Sequence, residues 1–260
     1  GCGMAVARLA RPTALPTVLQ RLANLSRDLP TVGGHRVRWD AGRKNHFLSM
    51  YSGLNESHYA ILHCSFPEAK LGENRHFDLN GRQPLRDGDA RAYIDRALIV
   101  QRCGLEKRRI IMERLFPGAE VISNRNHVKF LDDECVAIGC YAEKTPIHNS
   151  PITVGPRQDA LLVSTMNPTK LPGGRSIYLQ PHGTGNSTST SGEITADITG
   201  RFYYSSDPPF VTDTASDVFD THAPLRSVRP WLARWIDAPG TTELRLVGEV
   251  LLRDGWPEEN

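Results

Sequence analysis

Strand-type and helix-type segments follow one another in this chain without regular alternation, and this order constrains the fold more than any other feature. Regular alternation of strands and helices is typical of parallel α/β proteins, whereas strand runs with separate helices are typical of α+β proteins. Hydrophobic residues make up 39% of the 260 residues, which is enough to form a sizeable core. The sequence therefore predicts one α+β domain over residues 1–260, with mixed or antiparallel sheets flanked by helices.

Two long segments have the apolar spacing of amphipathic helices. Apolar side chains recur at helical intervals over residues 12–29, and Pro30 ends that pattern. Residues 89–115 show a second such pattern, which Gly104 could break and Pro117 ends. The sequence therefore predicts two main helices in the first half of the chain.

Residues 46–52 and 58–64 predict two neighbouring strands, because the turn signal Gly53-Leu54-Asn55 separates them. In an antiparallel pair these strands could direct His46 and His63 towards one point. The sequence also predicts strands at 120–123, 127–131, 135–141, 160–165, 176–179 and 243–251, a further helix at 225–235, and loops at 67–88 and 146–157.

Charge and cysteine content limit the classes of function. The 31 basic and 29 acidic residues give a net charge of +2, which argues against a strongly basic protein that coats nucleic acid but leaves room for a local basic groove. The five cysteines are odd in number and lack zinc-ribbon spacing, so a reducing intracellular compartment is expected. Because the sequence has no run of 18 apolar residues, we expect a cytoplasmic protein without a membrane span.

Three reactive side chains in the first quarter of the chain suggest a metal site. Cys2 stands between two glycines, His46 opens a predicted strand, and His63 lies near the end of the next one. A thiolate and two imidazoles are ligand types that soft or borderline divalent metals select. The ordinary alternative is a small buried cysteine and two core or strand-end histidines.

His182 is the strongest single candidate for chemistry, because it opens a glycine-rich turn after a predicted strand. A histidine can attack phosphorus and form a phosphoramidate, which divides one difficult step into two. The backbone N–H groups near Gly183 and Gly185 could then hold the phosphate. Lys144 could bind a phosphate or be a solvated loop lysine, and His182 could mark an ordinary strand-to-turn junction.

His127 is ambiguous from the sequence. It is the first residue of the predicted strand 127–131 and follows the polar residues Asn124, Arg125 and Asn126. It could be a metal ligand, or it could be structural, because the alternation of the strand does not reveal which face is inward.

The ordered set of these clusters resembles the RtcB family of RNA-splicing ligases. The runs that carry the resemblance are Gly1-Cys2-Gly3-Met4, Asn45-His46-Phe47, Leu62-His63 and Pro181-His182-Gly183-Thr184-Gly185-Asn186. In that family the corresponding runs carry a metal-binding cysteine, two metal-binding histidines and a histidine that becomes guanylylated. The order of the four runs agrees with the family, although the intervals here are shorter.

The resemblance implies an RtcB-like fold and a ligase that depends on Mn²⁺ and GTP. Its partner would be RNA with broken ends, tRNA-like or other, whose 2′,3′-cyclic phosphate or 3′-phosphate is joined to a 5′-hydroxyl. Cys2, His46 and His63 would bind the metal, Asn45 would contact GMP, and His182 would attack the α-phosphate of GTP.

Several positions depart from the family pattern. The family has an aspartate ligand three residues before its cysteine, so the resemblance implies a chain that lacks the N-terminal part of the family domain. Arg125-Asn126 stands where the family has a histidine–asparagine pair, and His127 would replace that histidine only with a change of register. Two alternatives therefore stay open: an RNA-end or nucleotide-binding paralogue without activity, and a metal-dependent RNA phosphoesterase.

Overall fold

The computed structural model describes residues 2–38, 46–69, 87–131, 136–138, 140–153, 159–170, 176–182 and 239–250. These residues form helices and antiparallel sheets, which agrees with the predicted α+β class. The helices are α1 (Leu15–Arg27) and α2 (Asp87–Leu115), and the strands are β1 (Gly3–Leu9), β2 (Thr31–Val32), β3 (His35–Arg36), β4 (Phe47–Ser52), β5 (His58–Cys64), β6 (Glu120–Asn126), β7 (Val128–Phe130), β8 (Val136–Ile138), β9 (Cys140–Glu143), β10 (Ile147–Thr153), β11 (Ala160–Thr165), β12 (Thr169–Lys170), β13 (Ser176–Pro181) and β14 (Thr242–Val250). Neither helix combines the length and the hydropathy that crossing a membrane requires.

The main sheet has seven strands in the order β10-β11-β14-β4-β5-β1-β6, and each strand is antiparallel to its neighbours. The predicted pair of strands before and after Gly53 is confirmed, and Phe47 of β4 lies opposite His63 of β5. A smaller sheet, in the order β12-β13-β9, ends beside Pro181. The pairing thus places the starts of β1 and β4 beside the ends of β5 and β6, at one end of the main sheet.

The two outer strands of the main sheet approach each other, so the sheet is a nearly closed barrel. Ser123 Oγ of β6 lies 3.1 Å from Ser150 Oγ of β10, and Arg125 Nε donates to the same Ser150 oxygen at 3.1 Å. Side-chain hydrogen bonds between β6 and β10 therefore join the two outer strands of the sheet. The barrel interior holds Met4, Val6, Phe47, Tyr51, Ile61, Ala160, Leu162 and Leu244.

The opposite face of the sheet packs against α2, which runs along β6, β1 and β5. The two faces follow from the alternation of β1, in which Met4 points into the barrel and Ala5 and Ala7 point towards the helices. Small residues at these positions let the helix approach the sheet closely. Gly104 does not break the predicted helix, because α2 continues through it and buries Cys103 and Arg108.

The predicted loop at 146–157 is also wrong over most of its length, because Ile147–Thr153 forms β10. Turn-type residues concealed the strand in the sequence. Asn149 has a φ of 50°, and the pairing with β11 shifts register between Ile147 and Ser150, which is a bulge. Pro151 is tolerated because β10 is an outer strand, where a missing N–H breaks no ladder bond. The predicted helix at 225–235 lies outside the described residues.

Candidate metal centre

The ends of β1, β4, β5 and β6 bring four reactive side chains together at one end of the barrel. Cys2 precedes β1 and His46 precedes β4, whereas His63 lies near the end of β5 and His127 follows β6. In an antiparallel sheet, the start of one strand lies beside the end of its neighbour. Met4 pairs with His63 on one side, so residues far apart in sequence meet at this end.

The distances fit a metal site. Cys2 Sγ lies 3.4 Å from His46 Nε2 and 3.4 Å from His63 Nε2. One ligand atom each from Cys2, His63 and His127 lie within 4.8 Å of one another. A tetrahedral zinc ion with Zn–S near 2.3 Å and Zn–N near 2.0 Å would hold sulfur and nitrogen about 3.5 Å apart. The thiol and the imidazoles are thus spaced as ligands of one ion.

His63 lies at the centre of the cluster and is fully buried. Its ring centroid is 4.9 Å from that of His46 and 5.0 Å from that of His127, both in edge-on geometry. The ring of Phe47 covers it at 5.5 Å. His46 therefore contacts two members of the group formed by Cys2, His63 and His127, namely Cys2 and His63.

His127 belongs to this centre, although the sequence left its role open. Its backbone N–H donates to the carbonyl of Cys2 at 3.1 Å, and its side chain is buried. Burial is the main cause that holds the pKa of its imidazole well below the ordinary value of 6.5, and the neighbouring His182 and His63 lower that pKa further. The neutral imidazole is the form that binds metals. The Nδ1 atom of His127 is buried and has no hydrogen-bond partner.

The face of His127 depends on the length of β6. The predicted strand ends at Ser123, whereas β6 continues to Asn126. Once the strand is extended, alternation places His127 on the same face as Ser123 and Arg125, which is the barrel side. The alternation of the sequence assigns His127 to this face only when the strand is known to end at Asn126.

His182 directly follows β13 and lies against the same cluster. Its ring centroid is 3.9 Å from that of His127 and 6.2 Å from that of His63, and its side chain is buried. Its carbonyl accepts a hydrogen bond from the backbone N–H of Thr153 at 3.0 Å, which fixes the end of β13 against β10. His182 is thus held beside the three-residue ligand group and touches one member of it.

Most of the remaining predicted site residues lie outside the described part of the chain. Asn45, Gly183 and Gly185 lie outside the described residues. Lys144 is exposed in the turn between β9 and β10. Arg125, which stands where the resemblance expects a ligand, donates to Ser150 and lies 3.4 Å from a carboxylate oxygen of Glu143. Its guanidinium is a cation without lone pairs for a metal, so His127 is the ligand candidate at this strand end.

The protein offers sulfur and nitrogen donors, whereas the resemblance implies Mn²⁺. Within the described ranges, the metal-ligating group consists of a thiol and imidazoles and contains no carboxylate. Manganese prefers oxygen ligands, whereas zinc and cobalt accept sulfur and nitrogen. The protein donors therefore fit Zn²⁺ or Co²⁺ directly, and Mn²⁺ would depend on oxygen ligands from a bound phosphate. Comparisons with protein-family models, with curated proteins and with solved structures gave no match.

Proposed function

We propose that this protein is a metal-dependent RNA ligase of the RtcB type, with an RtcB-like fold, that acts through a histidine–GMP intermediate. It joins an RNA 2′,3′-cyclic phosphate or 3′-phosphate end to a 5′-hydroxyl end and uses GTP. One observation carries the proposal: Cys2, His46, His63, His127 and His182 come from separate segments and lie together at one end of the barrel.

Cys2, His63 and His127 would hold a divalent ion, with His46 beside the thiol as a further donor. The resemblance implies Mn²⁺, and the sulfur and nitrogen donors also suit Zn²⁺. A bound divalent ion supplies Lewis-acid stabilisation of the negative charge on a phosphate. The buried rings of Phe47 and Tyr141 pack against His63 and His127, and electrostatic interactions are stronger beside such buried groups than in water.

His182 would be the nucleophile. A lone pair on its ring attacks the α-phosphorus of GTP, the N–P bond forms, and the bond to the leaving pyrophosphate breaks. An oxygen of the RNA 3′-phosphate then displaces His182 and receives the GMP. Finally, the 5′-hydroxyl attacks the 3′-phosphate, GMP leaves, and the hydroxyl proton passes to solvent. A 2′,3′-cyclic end would first be opened by water to the 3′-phosphate.

The surroundings of His182 support this role. The ring centroids of His182 and His127 are 3.9 Å apart. A phosphate bound to His182 would therefore lie next to an ion held by His127. The bond from Thr153 to the carbonyl of His182 orients the residue. Gly183 and Gly185 follow in the sequence and offer backbone N–H groups without side chains, as a phosphate requires.

RNA with broken ends would be the partner. Among the described residues, Cys2, Cys64, Cys103 and Cys140 take part in no disulfide, which suits the reducing cytoplasm.

The first test is the formation of the covalent adduct. The protein is incubated with Mn²⁺ and GTP labelled at the α-phosphate, beside His182→Ala and His148→Ala, an exposed histidine that serves as the matched control. We expect acid-labile label on the wild type and on His148→Ala, and none on His182→Ala. Label on His182→Ala would reject the nucleophile, and absence of label from folded, metal-loaded wild type would reject the ligase.

A metal-dependent RNA phosphoesterase is the second candidate, and one observation favours it. A single group of three ligating side chains is found in the part of the chain that the structure describes, and one ion is enough to activate water for hydrolysis. Incubation with an RNA that carries a 2′,3′-cyclic phosphate and a 5′-hydroxyl separates the two candidates. A ligated product supports the ligase, whereas an opened phosphate without joining supports the phosphoesterase. Binding of RNA or GTP without either product identifies an inactive paralogue.

A further inference from the structure

We propose that Arg108 is a positioning residue of the metal centre: from the opposite face of the sheet it holds the strand ends that carry His63 and His127. This inference rests on the metal site of the proposed function.

Arg108 lies on α2 and is fully buried. Its Nη1 donates to the carbonyl of Cys64 at 3.2 Å, and Cys64 directly follows His63. Its Nη2 donates to Oδ1 of Asn126 at 2.5 Å, and Asn126 directly precedes His127. One guanidinium therefore spans the ends of β5 and β6, which lie on either side of β1.

The asparagines that accept these bonds are themselves fixed to α2. Arg108 Nε donates to Oδ1 of Asn124 at 2.9 Å. The Nδ2 atom of Asn124 donates to the carbonyl of Leu105 at 2.8 Å, and that of Asn126 donates to the carbonyl of Gln101 at 3.0 Å. Residues of α2 thus bind both the oxygen and the nitrogen of the two side-chain amides at the end of β6. Arg108 also links the helix to the end of β5.

Gly3 shows how close the guanidinium lies to the third ligand-bearing segment. A Cβ added to Gly3 would lie 2.8 Å from Arg108 Nη2 and would overlap the carbonyl oxygen of Arg125. Gly3 directly follows Cys2, so the guanidinium lies against the segment that carries the thiol. The glycine is required here for close approach and not for an unusual backbone angle.

Arginine is suited to this position because its planar group carries five donors in fixed directions. A lysine ammonium keeps the charge but is a point donor on a flexible chain, and it cannot reach acceptors on two strands in the same way. Residues that support metal ligands usually change metal affinity by about 10–100-fold when they are replaced. We expect an effect of this size from Arg108, although it does not touch the metal.

The test is a Co²⁺ titration of the whole chain, followed by absorption. Arg108→Lys and Asn126→Ala should bind Co²⁺ about 10–100-fold more weakly than the wild type, with shifted d–d bands that report altered ligand geometry. Two controls lie on the same helix: Arg109→Lys, the same change at an exposed residue, and Ile111→Val, which loosens the buried face of α2. Both controls should keep wild-type affinity and spectrum.

The outcomes separate this inference from the proposed function. If Arg108→Lys and Asn126→Ala are folded and bind Co²⁺ with wild-type affinity and spectrum, Arg108 has no positioning role and the metal centre stands. If the wild type does not bind Co²⁺, the metal centre itself fails, and the proposed function fails with it. If Arg108→Lys does not fold, Asn126→Ala decides, and unchanged binding by that variant overturns the inference.

Discussion

The imidazole rings of His127 and His182 lie 3.9 Å apart, centroid to centroid, although one follows a strand of the seven-stranded sheet and the other a strand of the three-stranded sheet. The first belongs to the group that can hold a metal ion, and the second is the proposed nucleophile. A phosphate on His182 would therefore lie within reach of the ion.

His127→Ala should abolish tight metal binding. The change removes one of three side chains whose ligand atoms lie within 4.8 Å of one another. We expect the Co²⁺ affinity to fall by more than about 100-fold, because losing a ligand costs more than losing a residue that supports one. Titration followed by absorption measures this, with His148→Ala as the exposed control. Wild-type affinity in folded His127→Ala would show that this ring is not a ligand.

Cys2→Ser should change the spectrum of the metal as well as its affinity. Sulfur is the softest donor of the cluster, and Cys2 Sγ lies 3.4 Å from two imidazole nitrogens. With serine, the near-ultraviolet charge-transfer band of a Co²⁺ thiolate should disappear, and preference should shift from zinc towards harder ions. Absorption spectra and competition with Zn²⁺ measure both effects. A charge-transfer band that persists in Cys2→Ser would assign the sulfur ligand to another cysteine.

The stability of the metal-free protein should decrease as the pH falls through the range below about 6.5. The folded pKa of His127 is well below 6.5, mainly because of burial, so the unfolded state binds one more proton in that range. The contribution of His127 is fully present above the unfolded pKa, and below it should fall by about 1.4 kcal/mol per pH unit until the folded pKa is reached.

Urea unfolding at several pH values between about 5 and 7.5 measures this slope, since ΔG and the denaturation midpoint can be compared directly. His127→Gln should show a flatter dependence than the wild type, because it removes one of the titrating groups. Equal slopes for the two proteins would mean that His127 is not held neutral in the folded state.

Gly3→Ala should destabilise the fold and weaken metal binding together. The new methyl group would overlap the carbonyl oxygen of Arg125 and lie 2.8 Å from Arg108 Nη2, in a strand that is paired on both sides, with β5 and β6. Overpacking of this kind costs about 1–3 kcal/mol. Gly88→Ala is the control, because a Cβ there meets no atom within 4 Å. Urea unfolding of the two variants measures their stability, and Co²⁺ titration measures their metal affinity. Equal stability of Gly3→Ala and Gly88→Ala would contradict the close packing at Gly3.

Local features of the sequence predicted local parts of the structure. The β4–β5 pair follows from a turn signal between two apolar runs, and both strands were placed within one residue of their ends. The main helices likewise follow from apolar periodicity, and α2 continues through Gly104 because tertiary packing outweighs the low helix propensity of glycine. The order of the motifs suggested that Cys2, His46, His63 and His182 act together, and the structure places them in one cluster; their chemical roles stay predictions.

Non-local features were out of reach of the sequence. The face of His127 depends on how far β6 continues beside β1, which is set by pairing with a distant segment. The strand β10 was concealed by Asn149 and Pro151, whose conformations are acceptable only at a bulged outer strand. An arginine in an amphipathic helix normally faces solvent, so nothing in the local pattern marked Arg108 as a buried contact of two strand ends.

The position of β14 has a consequence for how the molecule is made. This strand, formed by residues 242–250, lies in the interior of the main sheet, between β4 and β11. Residues 242–250 must therefore leave the ribosome before the sheet can be completed, and until then β4 and β11 have edges that β14 does not yet cover. Such long-range pairing folds slowly and invites aggregation. We expect the nascent protein to depend on chaperones for as long as β4 and β11 lack β14 between them.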